Sequence, residues 1–169
     1  MQMQMELRRP TEADKETIVQ MVAEFRTANS ADDGFFGEDP FVYEDWLATI
    51  RAAEQGLKLP QGFVPYAQFV AFDGNGRALG FLNLRLRLND ALLERVGHIG
   101  YSIRPSERRK GYAKEALRQG LREAAGRNIT AVLISCSTDN EASRKTILAN
   151  GGVYEDTRCG GERYWINLD

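Results

Sequence analysis

The chain has 169 residues, a length suited to one domain. An apolar share of 43% and a charged share of 27% exclude a disordered, collagen-like or fibrous chain. Lys and Arg number 22 against 24 Asp and Glu, and a net charge of −2 argues against a general nucleic-acid coat.

In chain order, residues 5–9 read as a short strand. After Pro10, Thr11-x-x-Asp14 resembles a capping box, and Ile18, Met21, Val22 and Phe25 follow on one helical stripe. Residues 30–39 break that period and read as a loop. Asp39-Pro40 then has the form of an N-cap with proline at the first helical position, ahead of the stripe Tyr43, Trp46, Leu47 and Ile50. From Tyr66 the period changes to that of strands. Residues 68–72 and 78–88 flank Asp73-Gly74-Asn75-Gly76, whose Asn-Gly pair signals a hairpin. In the second strand, Leu82, Leu84, Leu86 and Leu88 alternate with Asn83, Arg85 and Arg87, which predicts one buried and one polar face. Residues 89–96 form a short connector before a strand over 98–103.

A basic turn then opens a helix carrying Ala113, Ala116, Leu117 and Leu121. Residues 131–134 are an apolar strand, and Thr138-x-x-Glu141 reads as the capping box of a helix that stops at Asn150-Gly151-Gly152. Strands at 153–158 and 162–168 surround Gly160-Gly161. The expected architecture is α/β: one domain over residues 1–169, with a central mixed sheet of about seven strands and helices on both faces.

Other classes fall away on local grounds. The opening Met1-Gln2-Met3-Gln4-Met5-Glu6 has neither the basic flank nor the apolar run of a signal peptide. No segment approaches the roughly 20 apolar residues that span a bilayer, so a membrane is not an expected partner; the net charge of −2 and the lack of an aromatic-basic stripe argue against a nucleic acid. Cys136 and Cys159, with a single histidine in the chain, give neither a disulfide scaffold nor a metal motif. A reduced, cytoplasmic setting is the expectation.

Residues 98–113 carry the most chemistry. A strand ends at Ile103-Arg104-Pro105, and Arg108, Arg109 and Lys110 precede a helix that begins near Gly111. A helix N-terminus presents unpaired N–H groups and a dipole that favours an anion, and glycine admits close approach of a ligand. Cations at that end are locally unfavourable unless something negative sits there, so the segment reads as a phosphate or pyrophosphate site. The bland alternative is a solvated basic turn. A P-loop is excluded because the segment has a single glycine. Gly74-Asn75-Gly76 lies in a hairpin turn, so it is no dinucleotide fingerprint.

The run Arg108-x-x-Gly111-x-Ala113, after Ile103-x-Pro105, resembles the R/Q-x-x-G-x-G/A motif of the GNAT superfamily of acyl-CoA N-acyltransferases. Asn140-x-x-Ser143, in a helix followed by Gly151-Gly152, is similar to that family's second signature. The element order matches over nearly the whole chain. The stretch 97–113 is particularly similar to bacterial acetyltransferases of unassigned substrate. The resemblance implies a fourth strand splayed from the fifth, with acetyl-CoA as cosubstrate. Backbone groups of Tyr101, Ser102 and Ile103 would pair with the pantetheine arm. The turn Arg108, Arg109, Lys110, Gly111, Tyr112, Ala113 and Lys114 would hold the pyrophosphate. Asn140 and Ser143 would bind near the arm. The tyrosine acid common in the family aligns with Ile147 here, which removes that acid.

Attack of an amine on a thioester requires the amine to lose a proton. His98, the sole histidine, is the candidate base, with Glu94 a weaker candidate acting through water; each also reads as an ordinary strand or loop residue. Tyr101, Tyr154 and Tyr164 read first as packing residues. Tyr112 reads as covering the cofactor or packing on the sheet. Asp32, Asp33, Glu38 and Asp39, beside Phe35-Phe36, would favour a cationic acceptor, whereas Arg85 and Arg87 would favour an anionic one, and the sequence leaves the two in conflict. The reading is acetyl transfer from acetyl-CoA to a primary amine of a small molecule or peptide. The rival is a CoA-binding sensor without catalysis. A homodimer stays open as the assembly.

Overall fold

The computed structural model describes residues 4–168, so the leading Met1-Gln2-Met3 lies outside the described residues. Seven strands and four helices follow in order: β1 (Met5–Arg8), α1 (Lys15–Thr27), α2 (Tyr43–Glu54), β2 (Tyr66–Asp73), β3 (Ala78–Arg85), β4 (Ile99–Ile103), α3 (Tyr112–Ala125), β5 (Ala131–Ser137), α4 (Glu141–Ala149), β6 (Val153–Arg158) and β7 (Gly161–Asn167). Short 3-10 turns occupy Glu12–Asp14 and Pro105–Glu107, and one π-helical turn occupies Leu92–Val96.

The α/β class and the strand number agree with the sequence reading, but the sheet is divided. One sheet has the order β1-β2-β3-β4 and the other β5-β7-β6, and every ladder is antiparallel. The mixed pairing expected from interleaved helices and strands is not formed. Just before β4, Gly97 meets Ile134 of β5 at an isolated bridge, and β4 and β5 then separate. Gly97 makes that bridge possible. Its φ is +85°, and a Cβ there would sit 2.3 Å from Leu133 O.

Each face of the larger sheet builds a separate core. α1 and α2 cover one face, where Ile18, Met21, Phe25, Trp46 and Ile50 pack on Val70, Phe72 and Phe81. On the other face, Leu117 of α3 and Ile147 of α4 join Leu82, Leu84, Val132 and Ile134. Fully burying each such side chain contributes about 1.5–3 kcal/mol. β3 is therefore buried on both faces, contrary to the polar face expected from its alternation. Asn83 is fully buried and donates from Nδ2 to Gln68 Oε1 at 3.0 Å; Gln68 Nε2 in turn donates to Gly34 O at 2.8 Å. Leu86 and Leu88 fall beyond the strand end.

Two helix starts also differ from expectation. α2 begins at Tyr43 behind Val42, leaving Asp39-Pro40 in the preceding loop, where Arg26 Nη2 donates to Glu38 O at 2.6 Å. Tyr43 Oη donates to Thr11 O at 2.6 Å and fixes that start. α4 is capped by Asn140 rather than Thr138. Asn140 Oδ1 accepts from Ser143 N at 3.1 Å. The Asp73–Gly76 hairpin forms as its turn chemistry predicts, with Asp73 Oδ1 accepting from Asn75 N and Arg77 N.

Candidate active site

A cleft of about 1110 Å³ opens where β4 and β5 diverge. Its head is closed by a reciprocal pair: His98 N donates to Leu133 O at 2.7 Å, and Leu133 N donates to His98 Nδ1 at 3.0 Å. Below it, β4 is laddered to β3 alone, and its other edge faces the cleft. Tyr101, Ser102, Ile103, Arg108, Arg109, Gly111, Tyr112, Ala113, Lys114, Asn140 and Ser143 all line this space. Lys110 does not. It is exposed, and its ammonium pairs with Glu107 at 2.8 Å.

Two arginines of the turn after β4 are tied into the fold. The buried Arg104 pairs with Glu24 at 2.9 Å and donates to Ala78 O; Glu24 also accepts from Ser106 N at 2.7 Å. Arg108 likewise serves the scaffold. Its Nε donates to Ile103 O at 2.8 Å and its Nη2 to Ser30 Oγ at 2.6 Å, tying the turn to the loop after α1. Gly111 (φ +85°) caps α3 in the left-handed region, where a side chain would be strained. Glu115 N is the first amide to bond within the helix, to Gly111 O, so the N–H groups of Tyr112, Ala113 and Lys114 remain outward. Among the described residues, neither the Arg109 guanidinium nor the Lys114 ammonium has a protein partner. This donor set fits a pyrophosphate, and the open edge of β4 fits an amide-bearing arm.

Tyr101 lies on the floor. Its hydroxyl is 2.8 Å from Ser143 Oγ, and burial pushes its pKa up to about 12. Ile147, the position aligned with the usual tyrosine, is fully buried in the core beneath α4. Cys136 lines the cleft as a thiol, pushed up to about 11 by burial.

Neither candidate base lines the cleft. His98 is buried, and burial, with Arg85 adding repulsion, lowers its pKa to about 4. Its Nδ1 already accepts the Leu133 N–H, which puts the proton of the neutral ring on Nε2 and leaves no free lone pair. Glu94 is exposed on the π-helical turn, away from the cleft.

The wall toward α1 and α2 is the loop from Ser30 to Phe36. Ser102 Oγ donates to Asp33 O at 2.7 Å, and Gln68 holds Gly34 O, so the loop is fastened across β4. Phe35 is buried, stacked on Phe81 at 4.4 Å between centroids, while Phe36 stays exposed against Phe63 and Tyr66. Asp32, Asp33 and Arg85 line the cleft; Glu38, Asp39 and Arg87 do not. Loss of water around Asp33, reinforced by Asp32, raises its carboxyl pKa. Sequence reasoning missed Ser30, Arg95, Val96 and Thr146, which reach the cleft only through contacts distant in sequence.

The model of the acetyltransferase (GNAT) domain family matches residues 4–153. The chain belongs to this family. Membership makes it an acetyltransferase whose acyl donor is acetyl-CoA. No curated protein sequence matches the acetyltransferase significantly. Several solved structures share its fold. The ribosomal-protein-S5-alanine acetyltransferase from Vibrio fischeri is 17% identical with a TM-score of 0.69, covering 100% of this chain and 96% of its own. Spermidine N-acetyltransferase from Vibrio cholerae, in complex with CoA and spermine, is 18% identical with a TM-score of 0.63, covering 97% and 95%. The protein yncA from Salmonella typhimurium, with its cofactor acetyl-CoA, is 18% identical with a TM-score of 0.64, covering 98% and 94%. Among the described residues no helix is long and apolar enough to cross a membrane, and both cysteines are free.

Proposed function

We propose that the whole chain acts as one catalytic unit in the cytoplasm, moving an acetyl group from acetyl-CoA to a primary amine of a small molecule or peptide. The observation that carries this reading is the cleft itself: unpaired amides and two free cations at the α3 end, a free strand edge along it, and carboxylates on its far wall. Acetyl-CoA supplies an acetyl group activated as a thioester. The N–H groups of Tyr112, Ala113 and Lys114, with Arg109 and Lys114, hold the diphosphate end. Asp33 receives the acceptor ammonium and takes the proton that nitrogen must lose, its raised pKa making it a better base than an ordinary aspartate. Tyr101 Oη holds a proton on the floor, with Ser143 Oγ within hydrogen-bond reach, and takes the place left by Ile147. The transfer forms one C–N bond, breaks one C–S bond and releases the thiol.

The test is calorimetric titration of acetyl-CoA, followed by thiol release against a panel of primary amines. Binding to the wild type, loss of binding in Gly111→Val shown to be folded by circular dichroism, and release with at least one amine support the reading. Binding with no release across the panel would favour a CoA sensor. No binding by the folded wild type would end the acetyltransferase reading.

A further inference from the structure

Arg85 ends β3 on the acceptor side of the cleft with most of its hydrogen-bonding capacity unused. Its partly buried guanidinium makes one hydrogen bond to protein, from Nη1 to Gly97 O at 3.3 Å. Among the described residues no carboxylate lies within ion-pair distance of it. The Phe36 ring stands 6.0 Å from Cζ and shields one side. A guanidinium has five N–H donors, so four remain for a partner that the protein does not supply. A cation withdrawn from water without a partner is costly. Burial accordingly lowers the Arg85 pKa, and Asp33 offsets this in part.

A second observation comes from Gly100. The position that a Cβ would take there lies 3.3 Å from Gly34 N and 3.8 Å from Arg85 Nη1. Gly34 N donates to no protein acceptor among the described residues, although Gly34 is buried. Two donors therefore flank β4 at residue 100, and a side chain there would press on the Gly34 backbone between them. Asp32 and Asp33 line the same cleft on the same loop as Gly34. Positive and negative groups are thus present together at the acceptor side, whereas Arg87, Glu38 and Asp39 lie outside it.

We propose that the acceptor amine also bears a carboxylate, which Arg85 and the Gly34 N–H receive beside Gly100 while Asp33 receives the ammonium. The planar fork of an arginine matches a carboxylate in two parallel hydrogen bonds. The substrate class is an amino acid or a short peptide-like amino carboxylate. This inference rests on the acetyl-transfer reading for the donor side of the cleft.

The test titrates a ladder of amino carboxylates, from glycine to 6-aminohexanoate, and their matched primary amides into the protein saturated with CoA. CoA carries no acetyl group, so the heat reports binding alone. The expected result is at least one carboxylate binding tenfold or more tighter than its amide. Arg85→Gln should erase that preference with acetyl-CoA affinity unchanged within twofold, and Gly100→Ala should weaken it. The wild-type comparison is decisive even if Arg85→Gln fails to fold. If no carboxylate outbinds its amide, or if the preference survives in folded Arg85→Gln, the inference is overturned while acetyl-CoA binding still upholds the acetyltransferase reading. Failure of acetyl-CoA to bind would remove both.

Discussion

His98 and Leu133 exchange two hydrogen bonds, His98 N to Leu133 O at 2.7 Å and Leu133 N to His98 Nδ1 at 3.0 Å. The imidazole substitutes for a backbone acceptor at the point where the two sheets part. This is a structural use of the ring, and it requires the neutral form, because a protonated ring has no acceptor to offer.

The first prediction concerns pH. The folded-state pKa of His98 is lowered from 6.5 to about 4, so the unfolded chain binds more protons between those values. Stability is full above pH 6.5 and falls as the pH drops toward 4, by on the order of 2 kcal/mol from this group. Urea unfolding at pH 7.5 and pH 4.5 measures it. His98→Gln should flatten the difference and lower stability at pH 7.5 while leaving measurable turnover. Complete loss of turnover with unchanged stability would restore His98 as the base.

Tyr101 carries the second. Tyr101→Phe removes the hydroxyl bonded to Ser143 and keeps the ring that packs on the core. Turnover should fall by about 10²–10⁴-fold, the range typical of a lost proton donor or acceptor. Acetyl-CoA affinity should stay within a few-fold by calorimetry. Equal activity of the variant would remove Tyr101 from the chemistry.

The third separates cations that share one short stretch of sequence. Arg109→Ala and Lys114→Ala should each weaken acetyl-CoA binding about tenfold, which is about 1.4 kcal/mol. Lys110→Ala should change it less than twofold, because that ammonium is turned to Glu107. Arg108→Ala should act differently again, loosening the tie from Ile103 O to Ser30 Oγ and lowering thermal stability. Calorimetry and thermal melts on the four variants read both effects.

What the sequence made legible was local. The hairpin at Asp73–Gly76, the stripes of α1 and α3 and the glycine opening α3 all follow from residues within one or two turns of each other. The donor side of the cleft was readable for the same reason, since one helix start and one strand end build it. The acceptor side was not. Its loop is held by Gln68 and Ser102, 34 and 69 residues from their partners Gly34 and Asp33. The alternation in β3 suggested a solvated face because Asn83 is polar; its partner Gln68, 15 residues away, is what allows it to be buried. His98 misled for a related reason. Its residue type suits a base, but its role is set by Leu133, 35 residues downstream.

The free edge of β4 has a consequence for how the molecule breathes. Amides of Gly100–Ile103 that are not spent on β3 have no strand beyond them, and the junction above them is a single bridge. Hydrogen exchange of those amides should therefore slow when a ligand's own amides occupy the gap. A ligand held at 100 times its Kd adds about 2.7 kcal/mol to the folded state. Much of that gain would appear as the two half-sheets ceasing to move apart, so the substrate of this fold is also its missing brace.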